Sequence, residues 1–333
     1  MKTGIIILNW NGKKLLGEFL PSVVEHSKEA KIFVIDNAST DDSIDFLIKQ
    51  FPQIKIIQNP ENQGFAKGYN RGIQSILKEF QLDVLCLLNS DVKVSENWLP
   101  PILELFKTNQ EIAVIQPKIL DYKNPNYFEY AGAGGGFLDN LGYPFCRGRI
   151  FWTLEEDKGQ YDDILPVFWA SGACFFIRVE DFIVQNGFDE NYFAHMEEID
   201  LCWRLNNSKR KIYYCGKSTV YHLGGGTLKS NNPQKTYLNF RNSLGTLAKN
   251  LPAYWGFPLI FTRLSLDGIT GIVFLFYESW AHCWAIVRSH FDFYKRLPVY
   301  LKNRKAGKPD YFHKKWVPFQ YFLFKRKYYK ELK

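Results

Sequence analysis

The first part of the chain alternates short, β-branched apolar runs with longer amphipathic segments, and this alternation limits the fold more than any other feature. The apolar runs lack a polar alternation, which is typical of strands buried on both faces. The predicted strands are Gly4–Leu8, Lys31–Ile35, Ile54–Gln58 and Val84–Leu88. The predicted helices between them are Lys13–His26, Asp41–Gln50 and Phe65–Phe80. Repeated strand–helix–strand units predict an α/β fold with a mostly parallel sheet flanked by helices.

The middle of the chain, from Ile112 to about His222, has shorter and less regular segments. Strands are predicted there at Ala113–Pro117, Val167–Arg178 and Lys211–Tyr214, with loops between them. This part is expected to extend the sheet and to carry variable loops.

The chain changes character after Pro252, where aromatic and basic residues accumulate. Charged residues interrupt the apolar segment Gly256–Tyr294, so no uncharged run reaches the ~20 residues of a membrane-spanning helix. These residues are Arg263, Asp267, Glu278 and Arg288. Helices that combine aromatic and basic residues lie well at an anionic membrane surface. The sequence predicts such a helical appendage, with packing on the rest of the chain or on a second subunit as the alternative.

Net charge and cysteine content narrow the range of partners. The 333 residues carry a formal net charge of +8, which favours nucleotide phosphates, an acidic membrane surface or nucleic acid. No recognised nucleic-acid-binding motif is present, so a nucleic-acid partner is not expected. The six cysteines include no C-x-x-C pair, which indicates free thiols in a reducing compartment and no zinc site. The N-terminus begins on a strand-like run without the segments of a signal peptide.

Polar clusters follow the predicted strands where the chain leaves the sheet. They are Asp36–Asp41, Asn62–Gly72 and Asn89–Asp91. Ligands bind at the carboxyl ends of parallel strands, so these clusters predict a binding site. A carboxylate such as Asp36 can accept hydrogen bonds from a base or a ribose. Asp91 can hold Mg²⁺ or Mn²⁺ against a diphosphate.

Each of these clusters also has a purely structural interpretation. Ser39 or Thr40 can cap the helix that follows. The glycines of Asn62–Gly72 can let a helix pack closely on the sheet, or they can let its free N–H groups approach an anion. Asn89–Asp91 can be a polar turn. The residue pattern alone leaves these alternatives open.

Two later clusters carry further titratable groups. Glu197, Glu198 and Asp200 open a predicted helix, where the helix dipole favours acids. Crowding of carboxylates also raises a pKa toward neutrality, which suits a general base. Asp200 is expected to pair with Arg204 four residues on, which leaves Glu197 or Glu198 free for chemistry.

The second of these clusters is a histidine at a strand end. His222 precedes Gly224–Thr227 and can reach a metal, although a lone histidine is more often structural. The glycines predict a mobile loop.

The order and spacing of these clusters resemble glycosyltransferase family 2, the inverting enzymes of GT-A fold, and especially its bacterial rhamnosyltransferase-like branch. The matching motifs span about residues 3 to 245 and are I-I-I-L-N-W-N-G, V-I-D-N-A-S-T-D, N-x-G-F-A-x-G-x-N-x-G, L-L-N-S-D-V, W-A-S-G-A-C-F-F-I-R, M-E-E-I-D-L-C-W-R-L and V-Y-H-L-G-G-G-T. The resemblance implies a GT-A (Rossmann-like) catalytic region at 1–250, with a nucleotide-binding half at about 1–118 and an acceptor half at about 119–250. Residues 251–333 would form the helical appendage.

The resemblance also implies roles for individual residues. The donor-binding positions are Asn9, Asp36, Asn62, Gly64, Gly68 and Asn89, with Asp36 at the nucleotide base. Asn89 stands where the family's D-x-D motif has its first acid, and Asp91 matches the metal-binding end of that motif. His222 matches a position that can complete a site for Mg²⁺ or Mn²⁺. Glu198 occupies the position of the catalytic base, where aspartate is usual, and Glu197 competes with it.

On the acceptor side, Gly172 and Trp169 lie in the segment that lines the site in the family. The implied reaction moves a sugar, with a deoxyhexose such as rhamnose favoured, from a nucleotide-diphosphate donor to a glycan or lipid-linked saccharide. Such a reaction serves cell-surface polysaccharide or glycolipid assembly. A cytoplasmic protein, peripheral on the inner face of the membrane, fits this role, and a homo-oligomer is compatible with it. Asn89 and Glu198 differ from the residues usual in the family. The alternative function is therefore a catalytically inactive module that binds nucleotide-sugars or glycans.

Overall fold

The computed structural model describes residues 1–224, 232–307 and 310–333. In these residues the strands, in chain order, are β1 (Thr3–Asn9), β2 (Ala30–Asp36), β3 (Lys55–Gln58), β4 (Val84–Asn89), β5 (Val92–Val94), β6 (Ile112–Asp121), β7 (Gly136–Leu138), β8 (Pro144–Cys146), β9 (Arg149–Ile150), β10 (Thr153–Leu154), β11 (Ile164–Val167), β12 (Cys174–Arg178) and β13 (Lys211–His222). The helices are α1 (Lys13–Glu25), α2 (Ser43–Gln50), α3 (Gly64–Glu79), α4 (Leu99–Thr108), α5 (Val179–Val184), α6 (Glu197–Asn207), α7 (Pro233–Asn250), α8 (Ala253–Tyr277), α9 (Trp280–Lys302) and α10 (Val317–Phe322), and a 3₁₀ turn covers Tyr329–Glu331.

A single large sheet organises the first 222 residues. Its strand order is β11-β13-β6-β12-β4-β1-β2-β3, and β5 pairs with the end of β13. The strands β4, β1, β2 and β3 run parallel, as the helix crossovers between them require. In the other half, β12 runs antiparallel to both β4 and β6. The predicted α/β sheet is therefore confirmed, and its parallel pairs lie among the first four predicted strands and between β6 and β13.

The parallel strands hold the core because their side chains are apolar on both faces. Ile5 and Ile7 of β1 face one hydrophobic cluster, while Ile6 faces another, and all are buried. Gly72 lets α3 lie directly on β2, since a Cβ there would lie 2.2 Å from Cδ1 of Ile35. The interpretation of these glycines as close-packing residues is thus correct for Gly72.

The predicted strand over 167–178 is divided into β11 and β12. The chain leaves the sheet at Trp169, whose backbone N–H and C=O both pair with Gly136 of β7. That exchange ties the large sheet to a second, antiparallel sheet of β7 to β10. The strand predicted over Lys211–Tyr214 is longer than expected. As β13 it continues to His222, with a register shift between Cys215 and Thr219.

The last three long helices form a layer against the sheet region. The helix α7 packs against α6, α8 and α9, and α8 and α9 pack together as a hairpin. The chain then returns to the second sheet, where the His313 ring stacks on Phe137 with centroids 4.5 Å apart. The predicted helical appendage is present. The predicted boundary at residue 250 coincides with the end of α7, while the division into separate domains stays a prediction.

The uncharged runs of the sequence are too short for a span, as expected, but one helix passes a test of length and average hydropathy. Within the described residues, α8 is 25 residues long and apolar enough to cross a membrane by length and composition. Arg263 and Asp267 interrupt its sequence, but they do not lower its average hydropathy enough to exclude a span. Only 28% of its most apolar window is buried inside the protein.

Candidate functional site

The carboxyl ends of three neighbouring strands place polar side chains side by side. In the parallel register, Asn9 of β1 lies opposite Asp36 of β2. On the other side of β1, Leu8 lies opposite Asn89 of β4. Asn9, Asp36 and Asn89 therefore share one edge of the sheet, the edge at which α/β folds bind ligands.

Asp36 is buried, and protein groups hold both of its carboxylate oxygens. Oδ1 accepts a hydrogen bond from Nδ2 of Asn9 at 3.0 Å, and Oδ2 accepts one from the backbone N–H of Ser39 at 2.9 Å. The Ser39 hydroxyl accepts from Nδ2 of Asn9 and from the backbone N–H of Asn11. Asp36 thus shapes the loops that follow β1 and β2.

The prediction that Ser39 or Thr40 caps α2 is wrong. The helix begins at Ser43, after Asp42, and Oδ1 of Asp41 accepts from the backbone N–H of Ser43 at 3.1 Å. Ser39 is held away from the helix because its hydroxyl serves the loop after β1.

A network of asparagines joins the ends of β2 and β3 to the start of α3. Nδ2 of Asn37 donates to Oδ1 of Asn62 at 2.8 Å, and Oδ1 of Asn37 accepts from Nδ2 of Asn59 at 3.1 Å. Asn62 also accepts from the backbone N–H of Gly64, and Asn59 donates to the carbonyl of Gly68. Asn37 belongs to the predicted cluster Asp36–Asp41 but was given no role of its own, and Asn59, which directly follows β3, was missed from the sequence.

The first turn of α3 is docked against the segment that leads into α6. Gly64 has a φ of +75°, and a Cβ there would lie 2.6 Å from the carbonyl oxygen of Phe193. The backbone N–H of Phe65 donates to that same carbonyl at 3.0 Å. Glycine is required here by both the left-handed backbone and the close approach. This contact brings the donor loop predicted at Asn62–Gly72 next to the acidic helix.

Asp91 and His222, far apart in the sequence, meet at the end of β13. The short strand β5 pairs Val92 with His222, so the residue before Val92 lies beside the histidine. Nε2 of His222 is 3.2 Å from Oδ1 of Asp91, and Nδ1 is 3.3 Å from Oε2 of Glu129. All three side chains are buried. Glu129 was not predicted, because nothing in its local sequence marks it.

The Asp91–His222 pair fits a divalent ion. Burial disfavours the charged ring, yet the two carboxylates raise the pKa of His222 to about 10, so the pocket favours positive charge. Among the described residues no group of three or more His, Cys, Asp and Glu side chains forms a metal site. The chain therefore offers two ligands, and Mg²⁺ commonly takes its others from substrate phosphates and water. A carboxylate on the second nitrogen, as at Glu129, is the usual support of a metal-bound histidine.

The start of α6 is held in a strained conformation. His195 and Met196, which precede the helix, have φ values of +68° and +72°. Such residues cost about 1–3 kcal/mol each and cluster at functional sites. Nδ2 of Asn242, on α7, donates to the carbonyls of Ala194 and His195 at 2.9 and 2.8 Å. A neighbouring helix thus fixes the turn that presents Glu197 and Glu198.

The two glutamates differ in their ionisation. Burial raises the pKa of Glu198 to about 7. Burial and the charge of Glu198 raise the pKa of Glu197 well above its usual range. One carboxylate oxygen of each is buried without a hydrogen-bond partner in the described part of the chain. The raised pKa of Glu197 favours its neutral form, while Glu198 exchanges its proton readily near pH 7, which suits a general base.

Asp200 has a structural role, as predicted. It accepts from Nε of Arg204 at 2.9 Å, which confirms the expected pair, and also from Lys249 and Asn250 of α7. Burial alone would raise the pKa of Asp200, but Lys249 and Arg204 hold it below its usual value. The charge is therefore fixed, and it anchors α6 to α7.

Of the two predicted acceptor residues, Gly172 lies beside the donor loop and Trp169 lies against β7. A Cβ at Gly172 would lie 3.4 Å from the Phe65 ring, and the carbonyl of Ala173 accepts from the backbone N–H of Asn89. The Trp169 side chain is 4% exposed, and its Nε1 donates to the carbonyl of Phe137. Contact of Gly172 and Trp169 with an acceptor stays a prediction, and the burial of Trp169 favours a supporting role.

The predicted glycine loop after His222 lies largely outside the described residues, since Gly225, Gly226 and Thr227 belong to the undescribed segment 225–231. Its mobility stays a prediction. Gly224 is described, with a φ of +71°, and a Cβ there would lie 3.0 Å from Oε1 of Glu129. The chain therefore passes close to the carboxylate that supports His222.

Comparisons with known proteins identify the family of the chain. The family model described as Glycosyl transferase family 2 matches residues 4–182. Rhamnosyltransferase WbbL of Escherichia coli (strain K12) is 41% identical over 217 residues, which cover 63% of this chain and 79% of that protein. N-acetylglucosaminyl-diphospho-decaprenol L-rhamnosyltransferase of Mycobacterium tuberculosis is 23% identical over 273 residues, which cover 78% of this chain and 88% of that protein.

Among solved structures, GalNAc-T7 with UDP, GalNAc and Mn²⁺ is similar, with a TM-score of 0.57 at 17% identity. The match covers 76% of this chain and 49% of that one, so this chain spans about half of its length. At this identity the likeness concerns the fold alone. The expected GT-A fold is confirmed.

Proposed function

The chain belongs to glycosyl transferase family 2 and is a glycosyltransferase, and from that premise we propose that it moves a sugar from a nucleotide-diphosphate donor to an acceptor hydroxyl with inversion at the anomeric carbon. A deoxyhexose such as rhamnose is favoured, because two relatives are named as rhamnosyltransferases. The acceptor is a glycan or a lipid-linked saccharide of cell-surface polysaccharide or glycolipid assembly. The decaprenol-linked acceptor in one relative's name supports this choice.

The observation that carries the proposal is the Glu198 carboxyl, with a pKa raised to about 7 and one oxygen free of hydrogen bonds to the described residues. In the proposed reaction Glu198 takes the proton from the acceptor hydroxyl. The acceptor oxygen then bonds to the anomeric carbon opposite the leaving diphosphate. That diphosphate departs with the electron pair of the broken bond, and the configuration inverts.

Glu197 has a different part in this scheme. Burial and the charge of Glu198 raise the pKa of Glu197 well above its usual range, which favours a neutral carboxylic acid that can donate a hydrogen bond. It orients the acceptor or the base, and it remains the competitor for the catalytic role.

The donor side is formed by the strand-end edge and the start of α3. Asp36 and Asn9 hold the loop on which the nucleotide base is placed, and Asn62 fixes Gly64 at the first turn of α3. The close contact of Gly68 with Asn37 keeps this helix near the strand ends. Asn89 adds an amide beside Asp91 without adding charge.

Asp91 and His222 would hold Mg²⁺ or Mn²⁺, with Glu129 behind the histidine. Bound there, the ion would neutralise charge on the departing diphosphate. The GalNAc-T7 structure with Mn²⁺ supports a divalent ion in this fold. Asn89 replaces a carboxylate, so the site would bind the free ion weakly and the ion–donor complex more tightly.

Gly172, with Trp169 behind it, lines the acceptor side. A lipid-linked acceptor places the protein at a membrane, and the aromatic and basic C-terminal helices suit the surface of one. The proposed location is the cytoplasmic face of the cell membrane, where the protein binds peripherally.

A panel of nucleotide-sugars, each with and without Mn²⁺ or Mg²⁺, tests the proposal. Thermal stabilisation identifies the donor. Transfer to a matching acceptor is then measured, and NMR of the anomeric proton gives the configuration of the new linkage. An inverted linkage is expected. Stabilisation by a donor without turnover on any acceptor would favour the inactive binding module that the Asn89 and Glu198 departures suggest. Retention of configuration would contradict the mechanism.

A further inference from the structure

The outer face of α8 carries large exposed apolar side chains toward both ends of the helix, with Ser265 and Gly268 between them. Tyr254, Phe257, Phe261, Ile269, Ile272 and Phe276 are all exposed, between 44% and 78%. Their spacing places them within one third of the helix circumference, so they form a single stripe, here called the α8 stripe. Soluble monomers rarely expose a continuous apolar surface of this kind unless it binds something.

The charged residues of α8 point the other way. Arg263 and Asp267 are buried at 2% and 0% exposure. Arg263 donates to the carbonyl of Leu141 and to the hydroxyl of Ser243, both at 3.0 Å. The helix is therefore the inverse of an ordinary surface helix, with its charges inside and its apolar side outside. This arrangement indicates that the α8 stripe does not face water in the working protein.

The helix α9, which packs against α8 in the same chain, carries both basic and exposed aromatic residues. Arg288, Lys295 and Lys302 recur every seven residues and are exposed. Trp284 and Phe291 lie on the same side of the helix and are 51% and 70% exposed. Between residues 253 and 302 the one exposed acid is Glu278, at the turn of the hairpin, while Asp292 is half-buried and Asp267 is buried. Aromatic residues with a basic excess match an anionic lipid surface.

We propose that the α8–α9 hairpin docks in the plane of an anionic lipid surface, with the α8 stripe in the headgroup and upper acyl region and the basic residues of α9 at lipid phosphates. The proposal deepens the proposed function, because it assigns the surface that meets the membrane of the lipid-linked acceptor. The docking itself stands on the exposed residues.

In-plane docking is favoured over a membrane span by the packing of α8. At about 1.5 Å per residue, its 25 residues would cover the hydrocarbon core of about 30 Å. A span would, however, pull Arg263 and Asp267 away from the protein groups that bind them. Leu259 and Ile260 are also part of the main hydrophobic core. Lying flat keeps these contacts and still buries the α8 stripe.

A second copy of the chain fits this surface less well. A two-fold interface brings the same patch of both subunits together. The exposed basic residues of α9 would then face their own counterparts with one exposed acid, Glu278, to offset them. Like charges placed opposite each other oppose such an interface.

The docking surface lies one helix away from the reacting groups. The helix α7 packs on α8 and α9, and on its other side it carries Asn242, which holds the His195 and Met196 turn. A saccharide on a membrane-anchored carrier would thus find the acidic helix close to the lipid surface.

Flotation of the full chain with sealed vesicles tests the proposal. Binding is expected with phosphatidylcholine vesicles that contain phosphatidylglycerol and is expected to weaken without it. The combined variant Phe261→Ser, Ile272→Ser, Phe276→Ser should lose about tenfold or more in vesicle partition, because three large apolar side chains are removed. The matched control is Ile183→Ser with Val184→Ser on α5, where exposures of 56% and 69% are similar. The control should float as the natural chain does.

Two further measurements separate docking from the other arrangements. In a Cys283→Ser background, Glu278→Cys should react fully with a membrane-impermeant maleimide outside the vesicles. Protection of that cysteine until detergent is added would overturn in-plane docking. Unchanged flotation of the stripe variant would overturn it as well. Analytical ultracentrifugation could also overturn it. The contradicting result is a stable dimer for the natural chain and a monomer for the stripe variant, with flotation retained.

Stabilisation of each variant by a nucleoside diphosphate with Mn²⁺ reports on the donor site. Retained stabilisation with lost flotation supports docking by the α8 stripe as a separate property. Flotation without nucleotide binding in the natural chain would contradict the proposed function and leave the docking surface standing.

Discussion

The pKa values of two adjacent glutamates differ, and this difference predicts that the same substitution has a large effect at one and a small effect at the other. Glu198→Gln should lower the transfer rate by about 10²–10⁴-fold, because the amide cannot accept the acceptor proton. Glu197→Gln should change it by less than about tenfold, because the raised pKa of Glu197 favours its neutral form and glutamine has the shape of a protonated glutamate. Single-turnover rates with saturating donor and Mn²⁺ give the comparison.

Both variants should keep the donor affinity of the natural chain, since neither residue belongs to the donor side. A severe loss in Glu197→Gln with little loss in Glu198→Gln would transfer the base assignment to Glu197. Equal losses would indicate that the pair acts as one unit.

The pH dependence of the reaction has a definite sign. Burial raises the pKa of Glu198 to about 7, and a general base works only when it is deprotonated. The single-turnover rate should therefore rise about tenfold per pH unit below pH 7 and level off above it. The measurement uses saturating metal and donor between pH 5.5 and 8.5, with donor affinity measured over the same range. A rate that stays flat from pH 5.5 to 7, with affinity unchanged, would exclude Glu198 in this role.

At the scale of elements, strand ends bring the metal-binding residues together. Asp91 precedes β5, and His222 ends β13. Near the end of β6, Leu120 pairs with Phe128, and Glu129 is the next residue. Glu129→Gln should raise the Mn²⁺ concentration needed for half-maximal activity by about 10–100-fold, because the histidine loses its supporting charge. The rate at saturating Mn²⁺ should recover.

The matched control for this prediction is Glu155→Gln, another carboxylate of the same region that receives hydrogen bonds from Tyr161 and Tyr329. It should leave the Mn²⁺ requirement unchanged. Asp91→Ala should not recover at any Mn²⁺ concentration. If Glu129→Gln kept the Mn²⁺ requirement of the natural chain, Glu129 would have no part in the metal site.

The sequence predicted those elements whose signal is local. The strands β1, β2 and β4 are continuous apolar runs, and the polar residues at their ends, such as Asp36 and Asn89, follow from that pattern. Glu129 and Asn242 could not be predicted, because their roles depend on the pairing of distant strands and on the packing of α7. The cap at Ser39 was wrong for the same reason, since a loop from another strand engages its hydroxyl.

At the scale of the whole molecule, composition predicted an aromatic and basic C-terminal region but not its orientation. The order of residues in α8 does not reveal that Arg263 and Asp267 face inward, because their partners at Leu141 and Ser243 come from other elements. Hydropathy averaged along the helix therefore indicates a membrane span, whereas the direction of each side chain favours a surface helix.

The packing of α7 leads to a prediction about the boundary at residue 250. Leu244 and Leu247 are buried there, and a Cβ on Gly245 would lie 2.7 Å from the Tyr300 ring of α9. A fragment of residues 1–250 would expose this face of α7, and Ser243 would lose its bond from Arg263. We expect the fragment to unfold in urea at a much lower midpoint than the full chain, with loss of a single cooperative transition by circular dichroism.

Loss of the α7 packing should also disturb the position of Glu198, because Asn242 on the same helix holds the strained turn before that residue. Co-expression of residues 251–333 as a separate chain should restore part of the stability and of the donor-induced thermal shift, since the two pieces bury complementary surfaces. A fragment 1–250 with the midpoint and donor response of the full chain would mean that residues 251–333 contribute nothing to the catalytic fold. The two regions would then be independent domains, and the membrane-docking hairpin could be removed without altering the position of Glu198.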